Sequence, residues 1–436
     1  MAGKTGAGKP AGAITAREAC LDSLVSFEKD KSYSNIELDR ALAKYKFGDL
    51  DRAFFTRLFY GVIERRLTLD FYIGELARKK ADARVANILR MGLYQILYME
   101  RVPDSAAVSE SVELAKMLKN KQAAGFVNAV MRNFQRRRSE LEQKFENLND
   151  LAIKYSCNYD IINIWEKSYG RETAENILKA RAAPGFAVTV NSLKISRDEY
   201  FGKLADIGVK CEKISGYGVY ILENLPVKSL YGYNDGLFFV QDEASQICAL
   251  ELGAERGDLI LDACAAPGGK SLFIAQAIEN KGRIAALDLH KNKLSLIKSS
   301  ARRLGIDIIE TYAHDARREI PETILSSKAD RVLCDVPCSG LGVTAKKPEI
   351  KYKTLEAIAK LPDLQYEILE NCAGYLKPGG VLLYSTCTLN RTENEDVVYK
   401  FLGKNNSFKL ENMKTFFPFE RKIDGFFLAK MRFDSV

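Results

Sequence analysis

The chain has 436 residues, 47% of them hydrophobic, enough for two or three domains with sizeable cores. Its formal charge of +8, spread over 65 Lys and Arg, favours a polyanionic partner, while the presence of only two histidines, His290 and His314, excludes a His-rich metal site and argues against a histidine-based triad. No apolar run is long enough to span a membrane, no secretory signal is visible, and nine cysteines without paired spacing point to free thiols in a reducing cytoplasm.

Residues 1–14 are rich in Gly, Ala and Lys and read as a disordered tail. Within them residues 3–9 fit G-x-x-x-x-G-K. Pro10 stands where a magnesium-binding Ser or Thr belongs and no strand precedes the match, so it is a decoy. Over 15–140, "REACLDSLVSFEKD", "RAFFTRLFYGVIERRLTLDFYIGELARKK" and "RVANILRMGLYQILYM" repeat apolar residues three and four apart and predict an all-α bundle. Asp104-Ser105 after Pro103 reads as an N-cap, and "GFVNAVMRNFQRRR" as an amphipathic helix ending in Arg136, Arg137 and Arg138. Residues 141–235 predict a small α+β unit, with two helices around Gly170 and then short strands in "FAVTVNSLK", "GVKCEKI" and "YGVYILEN".

From 236 to 436 strands and helices alternate: "DLILDAC", "RIAALD", "IDIIETYA", "KADRVLCD" and "GVLLYST" each precede a turn or helix. This pattern predicts a Rossmann-like α/β sheet that binds ligands at the carboxyl ends of its strands. At the first of those ends "DACAAPGGKS" makes a glycine turn into a helix, where a backbone can approach a ligand closely and unpaired N–H groups are on offer. The next strand ends in Asp288, placed either to hold both hydroxyls of a ribose or to cap the following helix. Asp315 could meet an adenine amino group or cap a turn, and Asp335 follows the fourth strand. Carboxylates at four successive strand ends, Asp262 included, point to an adenosine-containing ligand. No pyrophosphate fingerprint is present, so S-adenosylmethionine suits the site better than a dinucleotide.

Two thiols follow later strands, Cys338 in "DVPCSG" and Cys387 in "LYSTCTLNRTENED". Buried cysteines are common packing residues. Beside a methyl-donor pocket, however, a thiol suggests chemistry at a carbon that is not itself nucleophilic, such as C5 of a pyrimidine. Thiolate addition at C6 makes C5 nucleophilic, provided charge building at N3 is neutralised, and Asp335 as a protonated carboxyl stands three residues from Cys338 to do so. The acidic residues after Cys387 read as a helix start, with Glu393 as a cap and no catalytic role.

These segments, together with "ALDLHKNKL", "HDAR", "KPEIKYK" and "DGFFLAKM", resemble the successive motifs of RNA cytosine-C5 methyltransferases. "VPDSAAVSESVELAK" and "GFVNAVMRNF" resemble the RNA-binding NusB fold. The pairing is similar to the bacterial enzymes of this family that act on 16S ribosomal RNA. The resemblance implies a NusB-like domain at 15–140, a small linker or RNA-binding unit at 141–235 and an S-adenosylmethionine-dependent domain at 236–436. It implies that Cys264, Ala265, Ala266, Pro267, Gly268, Gly269 and Lys270 form the donor loop, with Asp288 at the ribose, Asp315 near adenine and Asp335 lining the pocket. It makes Cys387 the nucleophile and Cys338 the aid to elimination, and adds Asp335 and Lys270 to the catalytic set. Where the family carries an Arg-rich stretch this chain has Lys346-Lys347-Pro348, whose lysines are expected to serve phosphates. The expected partner is 16S ribosomal RNA, with no metal, no membrane, no obligate protein partner and a monomeric state. The competing readings are a non-catalytic RNA-binding factor with a degenerate methyltransferase domain, and a different nucleoside-cofactor enzyme such as a dehydrogenase.

Overall fold

A computed structural model describes residues 14–30, 33–77, 79–120 and 122–434; the phosphate-loop decoy, and the tail apart from Ile14, lie outside the described residues. The chain forms two compact units, one running up to Ile162 and including Lys347–Tyr352, the other holding Asn163–Lys346 and Lys353–Val436.

The first unit is all helical, with Ala16–Asp30, Asp49–Glu64, Ala83–Tyr98 and Ala123–Glu146 among its longer helices. Their apolar stripes meet in a core that includes Phe55, Phe59, Leu89, Val127, Met131 and Phe134, all fully buried or nearly so. The expected cap at Asp104 is not there. The helix Asp104–Lys116 begins at Asp104, with Pro103 in the cap position, and the Asp104 carboxylate instead accepts from Arg138 at 3.3 Å. The Arg cluster is largely answered within its own helix, since Arg137 pairs with Glu140 at 2.6 Å and Arg138 with Glu142 at 2.9 Å.

Lys347–Tyr352, a 3-10 turn over Pro348–Tyr352 preceded by Lys347, belongs to this helical unit although it lies far along the chain. Tyr352 donates to the Ile63 carbonyl at 2.7 Å, and the Lys351 ammonium reaches the Glu64 and Tyr155 carbonyls at 3.2 and 3.3 Å, satisfying groups that a helix end leaves open. Glu349 accepts from the Ser34 backbone N–H and hydroxyl at the start of Ser34–Tyr45. Most of "KPEIKYK" is therefore committed to packing.

The second unit holds two sheets. Strands β1 (Phe186–Val190), β2 (Cys211–Lys213), β3 (Gly218–Ile221) and β4 (Phe238–Val240) form a small antiparallel sheet in the order β2-β3-β1-β4. Before it, Gly170 at φ 83° separates helices Tyr159–Tyr169 and Arg171–Lys179. Fully buried Asn191, just past β1, donates to the carbonyls of Gly236 and Leu304, so this sheet caps the carboxyl end of helix Lys291–Leu304.

The larger sheet contains β5 (Leu259–Asp262), β6 (Arg283–Asp288), β7 (Ile309–Ala313), β8 (Ala329–Asp335), β9 (Leu376–Thr386), β10 (Phe408–Phe416) and β11 (Phe426–Phe433). Its order is β10-β11-β9-β8-β5-β6-β7, parallel from β9 to β7 and closed on one side by the antiparallel hairpin β10–β11. Helices cover both faces of the parallel strands, which is why "LILD" and "IAALD" read as nearly continuous apolar runs. The chain runs outward from β5 to β7 and then returns to the other side of β5 as β8. The crevice between β5 and β8 is thus the switch point at which such sheets bind ligands.

Beyond β8 and β9 the two loops are packed backbone to backbone. Gly342 donates to the Cys387 carbonyl at 3.1 Å and accepts from Gly425 N–H at 2.8 Å. A Cβ on Gly342 would lie 2.0 Å from the Gly425 carbonyl oxygen and 2.8 Å from that of Cys387, and neither can rotate away. Gly342→Ala is expected to destabilise the second unit by about 1–3 kcal/mol, the usual cost of overpacking. Urea unfolding followed by circular dichroism measures it, and an unchanged midpoint would contradict the close approach.

Candidate active site at the β5–β8 switch point

The strand register sets the site. In the parallel pair β8–β9, Asp335 lies opposite Ser385, and the ladder continues one residue further through Val336 N–H to the Ser385 carbonyl at 3.1 Å. Cys338 is three residues past Asp335 and Cys387 two past Ser385, so both thiols leave the same edge of neighbouring strands. Their sulfurs are 3.4 Å apart, within sulfur hydrogen-bond range. Contact with the Cys387 sulfur, then burial, then the Glu393 charge hold the Cys338 thiol well above its ordinary range.

Asp335 ends β8 and is gripped on both oxygens. Ser385 Oγ donates to one at 2.8 Å, and Lys270 Nζ to the other at 2.6 Å. Lys270 sits at the second position of helix Gly269–Ala277 and is mostly buried. Burial alone would lower its ammonium, but the Asp335 carboxylate more than offsets that and raises it above its usual range. Removing one partner of such a pair leaves an uncompensated charge and typically costs about 3–5 kcal/mol. Asp335 thus meets the crevice as the partner of Lys270 rather than as a lone carboxyl group.

A cavity of about 190 Å³ opens here, lined by Asp242, Asp262, Lys270, Asp335 and the turn residues Cys264, Ala265, Ala266, Pro267 and Gly269. Gly268 turns the chain at φ 109°, where a side chain would be strained, and a Cβ there would meet Ile297 at 3.0 Å. Asp262, only 1% exposed, takes Ser271 Oγ on one oxygen at 2.5 Å; its Oδ1 makes no hydrogen bond of acceptable geometry among the described residues. Burial pushes this carboxyl up to about 7.

Asp288 and Asp315 continue the row of carboxylates along the same sheet edge, beyond the residues that line the cavity. Asp288 is 9% exposed and accepts from the His290 backbone N–H at 2.8 Å; His290, not Asp288, occupies the cap position of the next helix. Asp315 follows β7 by two residues and is held bidentately by Arg317 at 2.9 and 2.6 Å. That hydrogen-bonded guanidinium keeps its carboxyl down at about 2. Both Asp315 oxygens are thus engaged by this chain's own arginine.

Three further residues escaped the sequence reading or were misassigned by it. Glu393 is not a helix cap. It is fully buried in the turn Arg391–Glu393, and the helix proper begins at Glu395. Lys346, expected at a phosphate, is held by Asp242 at 2.7 Å and Asp424 at 3.0 Å. Burial, then the neighbouring Asp242, lifts the Asp424 carboxyl to about 7. Among the described residues no group of three or more His, Cys, Asp or Glu is arranged to hold a metal ion, and no helix is long and apolar enough to cross a membrane.

A switch-point crevice with a glycine turn, strand-end carboxylates and an ion pair over a small cavity defines an enzyme of the Rossmann-like methyltransferase class. Comparison with known proteins agrees. Residues 249–432 match the family described as 16S rRNA methyltransferase RsmB/F, residues 14–136 the NusB family, and residues 161–228 a ferredoxin-like domain of RsmF/B-like methyltransferases. The chain is 36% identical to a probable ribosomal RNA small subunit methyltransferase B of Bacillus subtilis, over 95% of this chain and 98% of that one. It is 32% identical to ribosomal RNA small subunit methyltransferase B of Klebsiella pneumoniae, over 93% and 94%. The chain belongs to the RsmB/F methyltransferase family. Among solved structures, PH0851 shares the fold with a TM-score of 0.79 at 24% identity, covering 95% of this chain and 98% of that one. NSun6 from Pyrococcus horikoshii, solved with SFG, matches at TM-score 0.59 and 25% identity, over 64% of this chain and 99% of its own.

The raised Asp262 gives a pH test. In the unfolded chain an aspartate titrates near its ordinary 3.8, whereas the folded protein keeps the proton to about 7. Between these values the folded state binds more protons, so this carboxyl makes stability fall as pH rises, with its full penalty present above about 7. Asp262→Asn is expected to flatten the fall in thermal midpoint between about pH 4 and about pH 7. An equal fall in wild type and variant would remove Asp262 as its source.

Proposed function

We propose that this chain transfers a methyl group from S-adenosylmethionine to C5 of a cytosine in 16S ribosomal RNA, through a covalent bond between Cys387 and C6. The observation that carries the reading is the 3.4 Å approach of two thiols beside the Lys270–Asp335 pair at one sheet edge. Packing alone does not call for two thiols and a buried ion pair at the mouth of one crevice.

The donor fits the crevice on this chain's own chemistry. Gly268 lets the turn approach a ligand closely, Asp262 Oδ1 offers an acceptor to a ligand donor group, and Asp288 stands next along the edge for ribose hydroxyls. Asp315 is left to order its own turn through Arg317. When bound, the donor supplies an electrophilic methyl group on a sulfonium sulfur.

The Cys387 thiolate adds to C6, forming the S–C6 bond, and the C5=C6 electron pair delocalises toward N3. Lys270, oriented by Asp335, donates a hydrogen bond or proton at N3 and so neutralises the developing charge. C5 then takes the methyl group. H5 leaves as a proton to solvent, its electron pair re-forms C5=C6, N3 gives up any proton it gained, and the S–C6 bond breaks with Cys387 leaving as thiolate. The Cys338 S–H faces that sulfur and stabilises it as it departs. In this reading Cys338 is the donor and Cys387 the acceptor of the 3.4 Å sulfur contact.

Denaturing gels with labelled 16S ribosomal RNA test the assignment. Cys387→Ala is expected to abolish methylation and form no adduct. Cys338→Ala is expected to transfer methyl groups but accumulate a slow-migrating RNA–protein adduct, because release is impaired. The opposite pattern would make Cys338 the nucleophile, and an adduct with the double variant would sink thiol catalysis by this pair.

A further inference from the structure

Glu393 joins the two thiol loops at a single point. Its Oε1 accepts from Ser339 Oγ at 2.5 Å and Asn390 Nδ2 at 2.9 Å; its Oε2 accepts from the Ser339 backbone N–H at 2.8 Å and Gln365 Nε2 at 2.9 Å. Ser339 is the residue after Cys338, and it is bound twice, by main chain and by side chain. Its hydroxyl also meets Thr388 Oγ1 at 2.6 Å, and Thr388 is the residue after Cys387. Thr388 Oγ1 in turn accepts from Leu341 N–H at 3.2 Å, and Tyr384 donates to the Glu393 carbonyl at 2.5 Å. The β8 loop, the β9 loop and helix Leu361–Ala373, which carries Gln365, therefore converge on one carboxylate.

All four donors to this carboxylate are uncharged, so among the described residues no cation hydrogen-bonds to it. Burying a carboxylate in such surroundings is costly unless every lone pair is used. An ionised carboxylate is an acceptor-only group with about four acceptor sites. The four donors here match that capacity, whereas a glutamine amide would turn an N–H toward two of them. The site thus calls for a carboxylate by geometry.

We propose that Glu393 is a positioning residue that fixes Cys338 against Cys387, so that the Cys338 S–H faces the leaving sulfur when the S–C6 bond breaks. The inference rests on the cytosine reading above and adds a residue to its release step. Glu393 acts through Ser339 on the Cys338 loop and through Ser339 and Thr388 on the Cys387 loop.

Glu393→Gln is the test, with purified full-length protein, labelled 16S ribosomal RNA and S-adenosylmethionine. Donor affinity and the KM for RNA are expected to stay unchanged. The kcat is expected to fall by about 100-fold, the usual effect of displacing a reacting group by about 1 Å. The denaturation-resistant adduct should accumulate as it does without the Cys338 thiol. Ser339→Ala removes only the hydroxyl link and should move both readouts the same way by less; it carries the test if Glu393→Gln does not fold. Met431→Ala, a truncation of a fully buried core residue on β11, controls for stability loss and should accumulate no adduct. Adduct build-up in Glu393→Gln or Ser339→Ala but not in Met431→Ala supports the assignment. Loss of kcat without adduct, wild-type turnover, or adduct in all three overturns it while leaving the cytosine reading intact. A wild-type protein that neither methylates cytosine C5 nor forms an adduct overturns that reading, and this one with it.

Discussion

The parallel register of β8 against β9 is the constraint on which the rest of the second unit depends. With Asp335 opposite Ser385, the two strands deliver an ion-paired carboxylate, its serine partner and two thiols to one edge. A shift of one residue would turn every side chain of β9 to the other face of the sheet. It would separate Ser385 from Asp335 and carry Cys387 away from Cys338. The hairpin β10–β11 holds β9 from the far side, and Gly425, at the entry to β11, locks onto Gly342 in the Cys338 loop.

Several charged groups are withdrawn from water around that edge, and each is answered locally. Lys270 is answered by Asp335 and Glu393 by four neutral donors. Asp262 is the exception, with one oxygen that makes no hydrogen bond of acceptable geometry among the described residues. Buried polar groups of this kind are costly as stability devices. Their concentration at a ligand-binding edge is what an arrangement that holds reacting groups still would require, since a side chain locked by hydrogen bonds loses little freedom when substrate arrives.

Much of the architecture was legible from periodicity. The 3.6-residue stripes of the N-terminal helices and the apolar runs ending in Asp262, Asp288 and Asp335 are local signals, and the two cysteines announced themselves by standing just past strand ends. What escaped depends on long-range contacts. Strand β10, "FKLENMKTF", is a largely exposed edge strand whose short apolar alternation is broken by a bulge between Leu410 and Asn412, which leaves the strand signal weak. Lys347–Tyr352 reads as part of the α/β domain because it lies within it in sequence, yet its side chains complete helix ends of the other unit. The ion pairs of Lys346 are invisible in the sequence because its two aspartates lie 104 and 78 residues away. Glu393 stands close to a genuine helix start, and only the fold reveals that its donors come from residues 339, 365 and 390.

The central claim is that the Cys387 sulfur bonds to C6 of a cytosine while Cys338 stands by as a thiol. It is tested most directly with 16S ribosomal RNA carrying 5-fluorocytosine at the methylated position, since fluorine at C5 cannot leave as a proton and the adduct is trapped. Proteolysis followed by tandem mass spectrometry would then locate the modified residue. The account predicts the methylated 5-fluorocytidine on the peptide containing Cys387, with the Cys338 peptide unmodified. A nucleotide attached to Cys338, or no covalent adduct from an enzyme that still methylates ordinary RNA, would contradict it.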